Sequence, residues 1–129
     1  MAITWRMTES PQLQRLARSV HEILILGVLR GGPRHGYQIA LEIEERSGGY
    51  FGFNHGTLYP ILHQLEKEGL IDGTWDEGPG RRKKEYVLTT RGESYLRERI
   101  GEWQDLHRHL SAFVVESTEV RARAASDQR

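Results

Sequence analysis

The stretch NHGTLYPILHQLEKEGLIDGTWDEGPGRRKKEYVLT, residues 54–89, reads as a helix followed directly by a hairpin. Leu58, Ile61, Leu62 and Leu65 recur at i, i+3, i+4 and i+7, which is one apolar stripe of a helix. Pro60 is tolerated only close to a helix start, so the helix is expected to begin between Asn54 and Thr57 and to run to Glu68, where Gly69 ends it. Two extended runs follow, Leu70 to Asp76 and Glu85 to Thr89, the second with Tyr86 and Leu88 on one face. Between them lie Glu77-Gly78-Pro79-Gly80 and four consecutive cations, Arg81 to Lys84. This predicts a β-hairpin with a mobile, basic tip.

Two further helices precede this unit. Ser10-Pro11 supplies a cap and a first helical residue, and Leu13, Leu16, Val20, Ile23, Leu24, Leu26 and Val28 give an apolar face that Gly31-Gly32-Pro33 terminates. The second helix is expected from about His35 to Arg46, with Tyr37, Ala40, Leu41 and Ile43 on its apolar side, and Gly48-Gly49 stops it before the aromatic loop Tyr50 to Phe53. Downstream, Thr89 or Thr90 caps a long helix reaching about Ser117, and Thr90-Arg91-Gly92-Glu93 has the capping-box spacing. The expected fold is mainly α with a small β-hairpin, a winged helix-turn-helix followed by a long C-terminal dimerisation helix. Its expected parts are a flexible tail over 1–9, the winged-helix domain with its N-terminal helix over 10–89, the dimerisation helix over 90–118 and a second flexible tail over 119–129.

The chain carries 18 Lys and Arg against 18 Asp and Glu, so its formal net charge is zero. That disfavours a protein that coats nucleic acid without selectivity, and leaves room for a selective binder that uses a local patch. No cysteine is present, which excludes disulfides and cysteine zinc sites and points to the cytoplasm. The longest uncharged apolar run, Ile23 to Leu29, is far too short for a bilayer. The six histidines show no zinc spacing, so neither a metal nor a cofactor is expected. With no nucleophile elbow, phosphate-binding Gly loop or carboxylate dyad, the sequence does not read as an enzyme.

In a winged helix the third helix enters the major groove of double-stranded DNA and the hairpin reaches the neighbouring backbone. Here the face of that helix away from its apolar stripe carries Thr57, Tyr59, Pro60, His63, Gln64 and Lys67, with Asn54 at its start. These groups can hydrogen-bond base edges or phosphates. Taken alone, that face is as well explained by solvation, and four cations by a wet turn; their conjunction favours DNA. A winged-helix module that binds protein, its basic run incidental, is the alternative. On the last helix Leu96, Ile100, Trp103, His107, Leu110 and Val114 step alternately by four and three, and Leu106 and Phe113 widen the stripe. So long an apolar face calls for a second copy of the chain. Trp103 then either packs the dimer or stacks a flat ligand at its interface, and His107 would be partly buried in the seam.

Gly31-Gly32-Pro33-Arg34-His35-Gly36-Tyr37, Gly56-Thr57-Leu58-Tyr59-Pro60-Ile61-Leu62, Leu65 to Ile71, and Tyr86-Val87-Leu88-Thr89 with Gly92 resemble the PadR family of bacterial regulators, over about Val20 to Leu110. The resemblance implies a dimeric repressor that an aromatic or otherwise hydrophobic small molecule releases from DNA. It implies that Thr57, Tyr59 and Pro60 face the groove, that His35 and Tyr37 lie near the DNA backbone, and that Arg81, Arg82, Lys83 and Lys84 form the wing. For Tyr37 the residues leave a second reading, a ring in the core with its hydroxyl at the surface.

Overall fold

The structure is a computed structural model and describes residues 11–80 and 82–114. The two expected tails and Arg81 lie outside the described residues. The elements run α1 (Pro11–Leu29), β1 (Arg34–His35), α2 (Gly36–Arg46), α3 (His55–Lys67), β2 (Ile71–Asp76), β3 (Lys83–Leu88) and α4 (Thr90–Ser111). The sheet has three strands in the order β1-β3-β2, all pairs antiparallel. The expected hairpin is therefore completed by β1, whose Arg34 and His35 pair with Tyr86 and Glu85. Two residues are too few to show an alternating pattern, so nothing in the sequence marked this strand.

Ile25, Leu26, Val28 and Leu29 of α1, Ile39 and Ile43 of α2, and Leu58, Leu62 and Leu65 of α3 form the core with Leu70, Ile71, Tyr86 and Leu96. Burying each such aliphatic side chain is worth roughly 1.5–3 kcal/mol. Leu41, expected on the apolar side of α2, is 51% exposed. It lies two residues from both Ile39 and Ile43, which places it on the opposite side of the helix.

The recognition candidate α3 is held at both ends. Asn54 is its N-cap, with the side-chain oxygen accepting from Thr57 N at 2.9 Å. At the other end Gly69 has φ +77°, and Leu70 N donates to Leu65 O at 3.0 Å. This left-handed closure needs glycine. Pro60 lies inside α3, whose start at His55 falls within the expected range, and it has no N–H to give the Gly56 carbonyl.

Thr89 starts α4, its hydroxyl accepting from Gly92 N at 2.9 Å and donating to Gly69 O at 2.7 Å. Gly92 packs so closely that a β-carbon there would overlap the Leu70 carbonyl. Tyr95 donates its hydroxyl to the buried carboxylate of Glu22 on α1 at 3.0 Å, and Arg30 grips Glu93 through two nitrogens at 2.8 and 3.1 Å. Leu96 is 0% exposed. Its expected place in an intersubunit seam is thus corrected: its own protomer covers it. The chain divides into two compact units between Arg99 and Ile100, inside α4.

In the second unit Trp103, Leu106, Leu110, Phe113 and Val114 are exposed, and Trp103 is stacked on His107 with ring centroids 5.0 Å apart. Trp103, Leu106, His107, Leu110, Ser111 and Val114 line a shallow cavity of about 420 Å³. Among the described residues no helix is long and apolar enough to cross a membrane.

Candidate nucleic-acid interface

Helix α3 presents three lengthwise strips. Leu58, Leu62 and Leu65 face the core. Thr57, Pro60, Gln64 and Lys67, at i, i+3, i+7 and i+10, form an exposed strip on the opposite side. Between these two, Tyr59, His63 and Glu66 face the sheet. There a groove of about 860 Å³ opens between α3, the start of α2 and the wing.

Tyr59 forms one wall of that groove. Its ring lies across Gly36, where an added β-carbon would come within 2.9 Å of the ring edge and hydroxyl. Gly36 is therefore required by close approach of the ring. His55 stacks on the free side of Tyr59, with centroids 5.7 Å apart and the planes 8° from parallel. Tyr37 is 45% exposed, stacks on His35 at 6.2 Å, and has the Lys83 ammonium 5.2 Å from its ring centre. Its ring thus stands at the surface of the groove, and the core reading fails.

His35 is turned inward. Gln38 Oε1 accepts from His35 N at 2.8 Å and lies 3.0 Å from Nδ1, so the proton sits on Nδ1. Nε2 is buried without a hydrogen-bond partner, 3.7 Å from the Asp76 carboxylate at the end of β2. Through its strand pairing with Glu85, His35 ties the entrance of α2 to the wing.

The wing divides its cations. Lys83 and Lys84 lie in β3, paired with Asp76 and Trp75, and not in the tip where the sequence placed the whole basic run. Side chains alternate along a strand, so the two lysines part company. Lys84 donates to Glu66 Oε1 of α3 at 2.7 Å, and Gly73 N donates to Glu66 Oε2 at 3.2 Å. The Lys84 bond, first among the causes, holds the Glu66 carboxyl below the usual glutamate range. Gly73 has no side chain because Lys84, Glu66 and the Tyr86 ring already fill the space above it. Lys84 is thus partly buried and paired, a brace between wing and α3. Lys83 and Arg82 remain exposed, Arg82 lying over the Trp75 ring at 4.7 Å and 3.5 Å from Glu77. That last pair is solvent-exposed on both sides and offsets little of the Arg82 charge.

The structure therefore gathers His35, Tyr37, Tyr59, His63, Arg82, Lys83 and Lys84 around one groove and sets Thr57, Pro60, Gln64 and Lys67 beside it, with Asn54 at the helix start as a cap. Sequence reasoning passed over Glu66, Gly73, Trp75, His55 and the seat at Gly36. The cross-strand register would have shown Trp75 opposite Lys84, but that register depends on the wing loop, which the sequence alone did not specify. Among the described residues no group of three His, Asp or Glu could hold a metal ion.

Three helices, a three-stranded sheet with a basic hairpin and an exposed polar strip on the third helix define a winged helix of the kind found in gene regulators. Residues 25–98 match the Transcriptional regulator PadR-like family, and the chain belongs to that family. An uncharacterised protein of Lysinibacillus sphaericus is 32% identical over 92 residues, 70% of this chain and 84% of that one. The negative transcriptional regulator PadR of Bacillus subtilis is 37% identical over 75 residues, and this chain covers only 41% of its length. The crystal structure of that protein in complex with operator DNA superposes with a TM-score of 0.58 at 34% identity, over 63% of this chain and 47% of that one. A PadR family transcriptional regulator of Eggerthella lenta gives a TM-score of 0.69 at 27% identity, over 82% of this chain and 91% of that one.

Proposed function

We propose that this regulator is a sequence-specific DNA-binding protein that represses transcription as a homodimer and is released by a small hydrophobic or aromatic effector. The observation that carries DNA binding is the exposed strip Thr57, Pro60, Gln64 and Lys67 lying beside a groove whose rim holds Lys83 and Arg82. A helix offering donors, acceptors and a proline face suits base edges, and flanking cations suit phosphates. The Bacillus relative, a negative regulator solved on operator DNA, supports this reading.

Dimerisation is assigned to the exposed apolar side chains from Trp103 to Val114, because so much hydrocarbon in water is costly. A dimer must offer its two α3 helices to successive major grooves, about 34–36 Å apart. The effector is assigned to the cavity beside Trp103, whose indole offers a stacking face and one donor.

A gel shift on the promoter of the protein's own gene tests the central claim. A specific shift that salt weakens, and that fades when Arg82 and Lys83 are both replaced by Ala, is expected. A protein that shifts neither this promoter nor random DNA would be a protein-binding winged helix instead. Quenching of Trp103 fluorescence by a titrated aromatic compound, with Trp5 and Trp75 changed to Phe, tests the effector site.

A further inference from the structure

The C-terminal part of α3 holds a polar cluster that the groove does not use. Gln64 Nε2 donates to Glu68 Oε1 at 2.9 Å. Arg18 of α1 donates to the same oxygen at 2.6 Å. Arg18 is itself held from behind, its Nε 4.0 Å from the carboxylate of Glu22, which is buried and takes the Tyr95 hydroxyl.

A glutamine amide can rotate by half a turn and exchange its oxygen for its nitrogen. The Glu68 carboxylate, clamped by a guanidinium, offers only acceptors, so only the amide nitrogen can face it. One of the two Nε2 hydrogens is then taken. The other hydrogen and Oε1 remain, side by side, on the exposed strip that also carries Thr57 and Pro60. A donor beside an acceptor matches N7 and the N6 amino group of adenine in the major groove, and neither guanine nor a pyrimidine offers that pair.

We propose that Gln64 reads an adenine in each operator half-site and that Glu68, held by Arg18, is the positioning residue that fixes the orientation of its amide. This rests on the DNA-binding reading above. It adds a specified base and two residues, Glu68 and Arg18, that touch no DNA.

The test is a binding selection from randomised operator DNA, followed by titration of single-base operator variants. The wild-type protein should favour adenine at one position of each half-site by roughly five-fold or more, the span of a good two-point base contact. Gln64→Ala should abolish that preference. Glu68→Ala should erase most of it, because no acceptor then fixes which way the Gln64 amide faces. Its affinity for random DNA and its melting temperature should stay at wild-type values. Arg18→Ala should weaken the preference and Arg18→Lys should restore it, which a merely structural role would not produce. If Glu68→Ala keeps the adenine preference at full strength, Glu68 positions nothing. If positions are selected and none responds to Gln64→Ala, the inference falls while DNA reading stands. If the wild-type protein selects no sequence at all, both fall.

Discussion

Leu96 and Leu110 occupy the same apolar seam of α4, yet one is fully buried in its own protomer and the other is half exposed. The inner part of the helix is pinned by its neighbours: Gly92 against the Leu70 carbonyl, Tyr95 on Glu22, Glu93 in the grip of Arg30. From Ile100 onward the same periodicity continues in the second compact unit, where Trp103, Leu106, Leu110, Phe113 and Val114 are exposed. The spacing of apolar residues tells which side of a helix avoids water. It does not tell which chain provides the cover.

The contrast can be broken most forcefully at Leu96. Leu96→Ala should cost about 2–5 kcal/mol, seen as a lower urea midpoint, because the void forms in a packed core. An Ala variant as stable as wild type would return Leu96 to the intersubunit seam. Gly92→Ala comes next. Helix propensity favours alanine by up to about 1 kcal/mol, but overpacking against backbone costs roughly 1–3, so a net loss of order 1 kcal/mol is expected. Its thermal melt would show this directly.

The outer part of α4 calls for a different readout. Leu106→Glu combined with Leu110→Glu should halve the mass in sedimentation while the far-ultraviolet circular dichroism of the winged helix persists. Retention of the dimer would place the interface elsewhere.

The smallest effect concerns Glu22. Burial, the leading cause, pushes its carboxyl above the usual glutamate range, with Tyr95 and Arg18 partly opposing. The folded protein then holds this proton more tightly than the unfolded chain. The stability so gained is complete below the ordinary value of 4.5 and is lost as pH rises through the folded value. Glu22→Gln cannot ionise, so its melting temperature should gain on that of the wild type as pH climbs from 4.5 towards neutrality. Parallel curves for the two proteins would show that Tyr95 and Arg18 fully compensate the buried charge.

Much of this architecture was legible in the residues. The stripe Leu58, Leu62, Leu65 and the stops at Gly31-Gly32-Pro33 and Gly69 located the helices closely, because a helix declares itself through local spacing. The hairpin was legible in outline only. Its third strand is two residues long, and the position of Lys83 and Lys84 in β3 depends on how six intervening residues close the turn. The site suffered most where a side chain acts at long range. Glu66 reads as one more charge on an exposed helix until Lys84 and Gly73 are brought to it from the sheet. Leu96 misled for a related reason, since its cover comes from elements far away in sequence.

The parting of Lys83 from Lys84 has a consequence for how such a wing can change over generations. Among the described residues the loop between Asp76 and Lys83 bears no sheet pairing, so residues can be gained or lost there with little harm. A single residue inserted within β3, before Lys84, would exchange the two faces of the strand. Lys84, which braces Glu66, would swing outward together with Tyr86 and Leu88, and Glu85 and Val87 would turn inward. Length variation in descendants of this protein should therefore gather in the turn and stop abruptly at Lys83.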